Sequence, residues 1–209
     1  MSVTGRFISL EGGEGAGKST QAAALAAALR QRGIDVLVTR EPGGSEGAEA
    51  VRTLVLGGEV ARWSAHGEAL LFAAARADHV EKRIRPALEA GRWVICDRFI
   101  DSTRAYQGAQ GIDDAAILAL HAFGSKGLLP DRTYVLTLSH DEGGARAAAR
   151  DDGALDRFGQ RGADFHAEVA AGFARIAAQE GERVRAIDAS GAPEAVTQRI
   201  LADLSDLLS

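Results

Sequence analysis

Short apolar runs closed by turn residues alternate along this chain with longer stretches whose alanines and leucines recur three and four positions apart. Residues 6–11 (RFISLE) are the first short run and read as a buried strand. A glycine-rich turn follows, and from Ser19 to about Gln31 an Ala/Leu pattern without a breaker predicts a helix. DVLVT at 35–39, just after Gly33, is the next strand. One helix between two strands is the usual content of a parallel crossover, so the segment predicts a βαβ unit. The same rhythm gives strands at 92–96 (RWVIC), 132–138 (RTYVLTL) and 183–187 (RVRAI), and helices at about 46–56, 66–90, 113–124, 141–150, 164–180 and 193–208. Five strands alternating with helices predict an α/β domain of three layers around a parallel sheet. Arg150 to Gly162 (RDDGALDRFGQRG) is polar, glycine-rich and flanked by helices, and is expected to form a mobile lid.

Composition leaves that picture intact. Hydrophobic residues make up 46% and charged ones 25% of the chain, an ordinary globular balance, and no apolar run approaches the roughly 18 residues of a membrane span. The start, MSVTGRFISLEGG, has no signal-like apolar stretch, so a cytoplasmic protein is expected. The single cysteine, Cys96, lies in the apolar WVIC run and is expected to be a buried thiol without a chemical role. Charge says more. A net charge of −5 argues against a nucleic-acid partner, which calls for a basic face. Lysines are few (Lys18, Lys82, Lys126), so anions bound beyond the glycine-rich turn fall to arginine, whose planar fork suits phosphate oxygens.

Gly12-Gly13-Glu14-Gly15-Ala16-Gly17-Lys18-Ser19 fits G-x-x-x-x-G-K-[ST] and sits between a predicted strand and a predicted helix, the context this phosphate loop requires. Glycines let backbone N–H groups converge on phosphates, the helix presents its positive end, Lys18 reaches the β- and γ-phosphates, and Ser19 is placed to ligate Mg²⁺. The run from Gly12 through Thr20 is therefore the expected ATP site. No Asn-Lys-x-Asp guanine-reading motif occurs, which excludes a switch GTPase, and a small metabolic kinase fits a compact acidic chain better than a mechanical ATPase.

Three further clusters follow in order: Arg40-Glu41-Pro42-Gly43-Gly44, Asp97-Arg98-Phe99, and Ser102-Thr103-Arg104-Ala105-Tyr106-Gln107-Gly108. With EGGEGAGKSTQ they resemble the bacterial thymidylate kinases, and the similarity extends through FAAARADHVE (72–81), LLPDRTYVL (128–136) and GALDRF (153–158) over nearly the whole chain. The resemblance implies a P-loop kinase fold with a five-stranded parallel sheet, helices on both faces and a short lid, as one domain over residues 1–209 with the lid at about 146–162. It implies Mg²⁺-dependent transfer of the ATP γ-phosphoryl to thymidine monophosphate (dTMP), and a homodimer to which the 66–90 helix contributes. A kinase for another nucleoside monophosphate, or an ATP-binding protein without transferase activity, remains open from sequence.

Carried onto this chain, the resemblance makes Asp97 a second Mg²⁺-directed oxygen and Arg98 the ligand of the acceptor's 5′-phosphate. Phe72 and Arg76, four apart on one helix face, are implied to stack on the base and to donate to a pyrimidine carbonyl. Thr103 and Gln107 match pyrimidine-bonding positions, Tyr106 the ring that crowds the sugar's 2′ position, Glu14 the contact of the 3′-hydroxyl, and Arg52 a further acceptor-side arginine. Glu41-Pro42 is implied to be a cis peptide shaping the acceptor pocket. No arginine lies between Gly12 and Lys18, so catalytic charge is expected from the lid, from Arg150 with Arg146 or Arg157 assisting. Thr137, Ala148 and Gly159 depart from the family's usual residues.

Overall fold

The computed structural model describes residues 5–138 and 156–208. Its strands are β1 (Phe7–Gly12), β2 (Val36–Arg40), β3 (Trp93–Asp97), β4 (Arg132–Thr137) and β5 (Val184–Asp188). They form one sheet in the order β2-β3-β1-β4-β5, and every pairing is parallel. The described helices are α1 (Lys18–Gln31), α2 (Glu46–Leu56), α3 (Ala65–His79), α4 (Arg85–Glu89), α5 (Ile100–Gly108), α6 (Asp114–Ser125), α7 (Ala163–Gln179) and α8 (Pro193–Asp203).

β1 is central and buried along its whole length, as a strand covered on both faces must be. Its side chains alternate: Ile8 and Leu10 join Leu25 and Leu29 of α1 and Ile200 of α8 in one core. Phe7 packs on the opposite side with Val94, Cys96, Phe99 and Ile117. A third cluster joins α5 to α7 through Tyr106, Phe158, Phe173 and Val184. The chain leaves β1 toward β2 and later crosses from β3 to β4 on the other side of β1. The carboxyl ends of β1 and β3 therefore flank a topological switch point, where open α/β sheets leave a crevice.

Two elements differ from the expected ones. The 66–90 helix is continuous from Ala65 to Glu89 but holds a π-helical turn (Val80–Ile84) between α3 and α4 that its pattern did not show. The segment 100–108, left without an element by its pattern, is α5. Every residue from Ile100 to Gln107 is buried, so no polar face marks the helical period. Its polar side chains are satisfied inside: Asp101 accepts from Arg183 at 2.7 and 2.9 Å and from Arg104 at 3.1 Å. Burial works against the Asp101 carboxylate, yet Arg183 and Arg104 hold it below its usual range. Breaking such a buried pair costs about 3–5 kcal/mol. α7 approaches α5 closely at Gly172, where a Cβ would stand 3.1 Å from the Ala105 Cα. The helix expected at 141–150 lies outside the described residues.

Candidate active site

The phosphate loop is built by backbone. Gly12 ends β1 at φ +129°, and a Cβ there would lie 2.5 Å from the Leu136 carbonyl oxygen. Gly17, at φ +84°, turns the chain into α1. Lys18 is buried and folds back over its own loop, donating to the carbonyls of Gly12 (3.2 Å) and Gly13 (2.6 Å). Burial, reinforced by Arg98, pushes the Lys18 ammonium down to about 7 against the pull of Asp97, Glu11 and Glu14. An anion placed in the loop would favour the charged ammonium and raise that value again.

Ser19 Oγ donates to Asp97 Oδ2, bringing two oxygen donors from separate elements together beside the loop. A hydroxyl and a carboxylate fit Mg²⁺, a hard cation that takes one or two protein oxygens and fills its shell with water and phosphate. Beyond them the cleft opens to about 770 Å³ and runs past Thr20 to Ala189, Gly191 and Pro193. Gln21 ties that far wall to α1 by donating to the Pro193 carbonyl at 2.9 Å.

Arg98 sits where cleft and acceptor pocket meet, in the left-handed region at φ +69°. A non-glycine residue pays strain for that conformation, so the surroundings must hold it. Glu11, a buried acid at the end of β1, accepts the Phe99 N–H at 2.8 Å and the Ser102 hydroxyl. Ser102 Oγ accepts in turn from Arg98 Nη1 at 3.0 Å. Burial, and then Asp101, push the Glu11 carboxyl up to about 8. Arg98 also donates to the Gly12 carbonyl (3.1 Å) and to the Tyr106 hydroxyl (3.3 Å), with its guanidinium over the Tyr106 ring. Burial disfavours its charge, but Tyr106, Asp97 and Glu11 together raise it above the ordinary arginine value. A permanent cation at the junction follows.

The second cavity, of about 110 Å³, is lined by every acceptor-side residue named from sequence: Glu14, Glu41, Pro42, Arg52, Phe72, Arg76, Arg98, Thr103, Tyr106 and Gln107. The Glu41–Pro42 peptide is cis. Arg76 is buried and largely committed to the protein: Nε donates to Glu41 (2.7 Å), Nη2 to Thr103 Oγ1 (2.7 Å) and to the Phe99 carbonyl (3.3 Å). Its Nη1 has no partner among the described residues and is the donor left for a ligand. The other Glu41 oxygen meets His79 Nδ1 at 3.0 Å, and His79 Nε2 meets Thr39 Oγ1 at 2.7 Å. Arg52 is anchored on the Pro42 carbonyl at 2.6 Å. It makes no ion pair among the described residues, unlike a surface bridge.

Several contributors were given no role from sequence, although Asp156 and Phe158 lie in GALDRF and Ser102 opens the third cluster. Phe158 closes the pocket with its ring 5.8 Å from those of Phe72 and Tyr106. Asp156 lines both cavities. Ser102 and Glu11 act through Arg98, and only the oddity of an acid in an otherwise buried strand hinted at Glu11. Arg157, expected to help close over the phosphates, is instead buried against Glu68 and donates to the Val55 and Val60 carbonyls. Those acceptors hold it in the interior, and it lines neither cavity. Arg150 and Arg146 lie outside the described residues. Cys96 is buried, its thiol pushed up by burial and donating to the Arg98 carbonyl.

With this geometry in hand, comparison with known proteins is specific. The sequence profile of a family described as thymidylate kinase matches residues 10–200. A thymidylate kinase of Rhizorhabdus wittichii is 61% identical over 207 residues, which cover 99% of this chain and 100% of that protein. One from Caulobacter vibrioides is 51% identical over 199 residues, 94% of each chain. The crystal structure of thymidylate kinase from Ehrlichia chaffeensis aligns with a TM-score of 0.78 and 32% identity, over 96% of this chain and 98% of that one.

Proposed function

The chain belongs to the thymidylate kinase family, and from that premise we propose how its two cavities divide the transfer of the ATP γ-phosphoryl to dTMP. The protein is a nucleoside monophosphate phosphotransferase. The large cleft takes ATP through Gly12–Thr20, and the small pocket takes the monophosphate. One observation carries this assignment: the two cavities share Glu14, Glu41, Arg52, Arg98 and Asp156 as a common wall. The phosphates of donor and acceptor then meet beside Arg98.

The acceptor needs no general base, because the second pKa of a phosphomonoester is about 6 and its oxygen is already anionic. That oxygen attacks the γ-phosphorus as the bond to the bridging oxygen breaks, giving dTDP and ADP with no proton moved. The protein's work is to hold two anions in line and offset their repulsion. Lys18 leaves its loop carbonyls for the β- and γ-phosphates. Arg98, braced by Ser102 and Glu11, holds the 5′-phosphate. Phe72 covers the base, Arg76 Nη1 donates to a base carbonyl, Thr103 and Gln107 address the ring nitrogens, and Tyr106 closes the 2′ side. Glu14 takes the 3′-hydroxyl, and Arg52 supports the phosphate from α2.

Ser19 and Asp97 would hold Mg²⁺, which when bound neutralises charge on the phosphates. Arg150 completes the cationic set from the lid. We place two copies of the chain as a dimer through α3 and α6, where Phe123 is 91% and Leu70 55% exposed. The whole of 1–209 is read as one domain. Among the described residues no helix is long and apolar enough to cross a membrane. The test is ADP release with Mg²⁺ and ATP across dTMP, dUMP, dCMP, dAMP and dGMP. Acceleration by dTMP above the others is expected, and ADP release indifferent to the acceptor would overturn the assignment.

A further inference from the structure

Glu68, on α3, lies wholly buried beneath the base pocket and touches none of its open space. One of its oxygens, Oε1, accepts from Gln107 Nε2 at 2.9 Å and from Gln110 Nε2. The other, Oε2, is held by Arg157, whose other two nitrogens donate to the Val55 and Val60 carbonyls. Arg161 lies 3.6 Å from the same oxygen. The carboxylate is thus fixed from both sides and has only acceptors to offer. A side-chain amide facing it must present its NH₂, which leaves the amide oxygen to face away. Gln107 Oε1 has no hydrogen-bond partner among the described residues, and Gln107 lines the base pocket.

We propose that Glu68 is a specificity-determining positioning residue, which locks the Gln107 amide with its oxygen toward the acceptor base. An oxygen at that point accepts from a ring N–H. Thymine and uracil carry such a donor at N3 and a carbonyl at C4, whereas cytosine presents a lone pair at N3 and an amino group at C4. Arg76 Nη1, a donor, matches the carbonyl of the first pair and opposes the amino group of the second. An unlocked Gln107 could turn its NH₂ to the pocket and serve cytosine equally well. A glutamine amide alone has no preferred direction, so the lock has to come from an acceptor-only neighbour.

This inference rests on the acceptor-pocket reading above and deepens it. The experiment compares kcat/KM for dTMP and dCMP in the wild type, Glu68→Gln and Gln107→Leu, with thermal melting to follow the fold. In Glu68→Gln the new amide keeps its oxygen on Arg157 and turns its NH₂ toward Gln107, which reverses the Gln107 amide. The dTMP-to-dCMP ratio is expected to fall at least about tenfold, with KM for ATP unchanged. Should Glu68→Gln fail to fold with Arg157 still charged, Glu68→Gln/Arg157→Gln removes both charges and is expected to show the same loss. A folded variant that loses activity on both acceptors alike, at an unchanged ratio, makes Glu68 merely structural and overturns the inference. If the wild type discriminates but Gln107→Leu does so equally, Gln107 does not read the base, and the pocket reading itself falls.

Discussion

The donor cleft and the acceptor pocket share a wall but are made in opposite ways. On the donor side the recognising groups are backbone: one strand, one loop and one helix turn, contiguous from Gly12 to Thr20, with Lys18 resting on its own carbonyls. On the acceptor side they are side chains from several distant segments, and Arg76, Arg98 and Gln107 are each oriented by protein partners before any nucleotide arrives. Arg76 is shared among Glu41, Thr103 and Phe99, and Gln107 is turned by Glu68. Triphosphates need only charge and converging N–H groups, which a short loop supplies. Telling one base from another needs directed donors and acceptors, and direction requires a surrounding network. Changes at the donor site should therefore act mainly on turnover, and changes at the acceptor site on specificity and on the fold together.

The comparison breaks first at Lys18. Lys18→Ala removes the one lysine aimed at the transferred group, and kcat is expected to fall by about 10³-fold, the upper range for losing one preorganised donor. Melting should stay near wild type, since burial of this ammonium gives no stability. Turnover within tenfold of wild type in steady-state assays would contradict the donor assignment.

A smaller effect, of the other character, is expected at the base pocket. Phe72→Ala should raise KM for dTMP by about 10-fold or more through lost stacking, with KM for ATP little changed. Arg76→Ala should do the same and also lower the melting temperature, because Glu41 is then left buried beside His79 alone. Equal shifts in KM for ATP and dTMP would erase the distinction between the two regions.

The smallest effect lies in the pH dependence of ATP binding. Lys18 is pushed down to about 7 when no phosphate faces it, and a bound phosphate restores its charge. Binding above that pH must take up a proton, so affinity falls as pH rises through 7, by about fivefold between pH 7 and 8. Calorimetry at pH 8 in buffers of different ionisation enthalpy should detect the uptake, and Lys18→Met should abolish it. Binding without proton uptake would mean that the loop already holds the lysine charged.

Legibility followed the same division. The phosphate loop was plain in the sequence because its chemistry is contiguous and its flanking strand and helix have clear periods. The acceptor set was named through the family resemblance, and those residues do line one pocket. The partners that aim them were silent, since Glu68, Glu11 and Ser102 look like ordinary polar residues until the fold encloses them. α5 escaped for a related reason: a helix buried on all sides shows no amphipathic stripe. Arg157 misled because an arginine in a polar, glycine-rich stretch reads as exposed, while it sits 1% exposed against Glu68.

By itself, then, the sequence determined the strand and helix alternation, the phosphate loop and the residue types available to an anionic substrate, because these depend on neighbours within a turn or a strand. Only the tertiary structure decided the direction of each buried donor and acceptor. Arg98 is bent into a left-handed conformation by an acid on another strand, Arg76 is left with one free nitrogen, and Gln107 shows its oxygen to the pocket. Hydrogen-bond polarity is set by whatever lies opposite, and what lies opposite comes from residues tens of positions away along the chain.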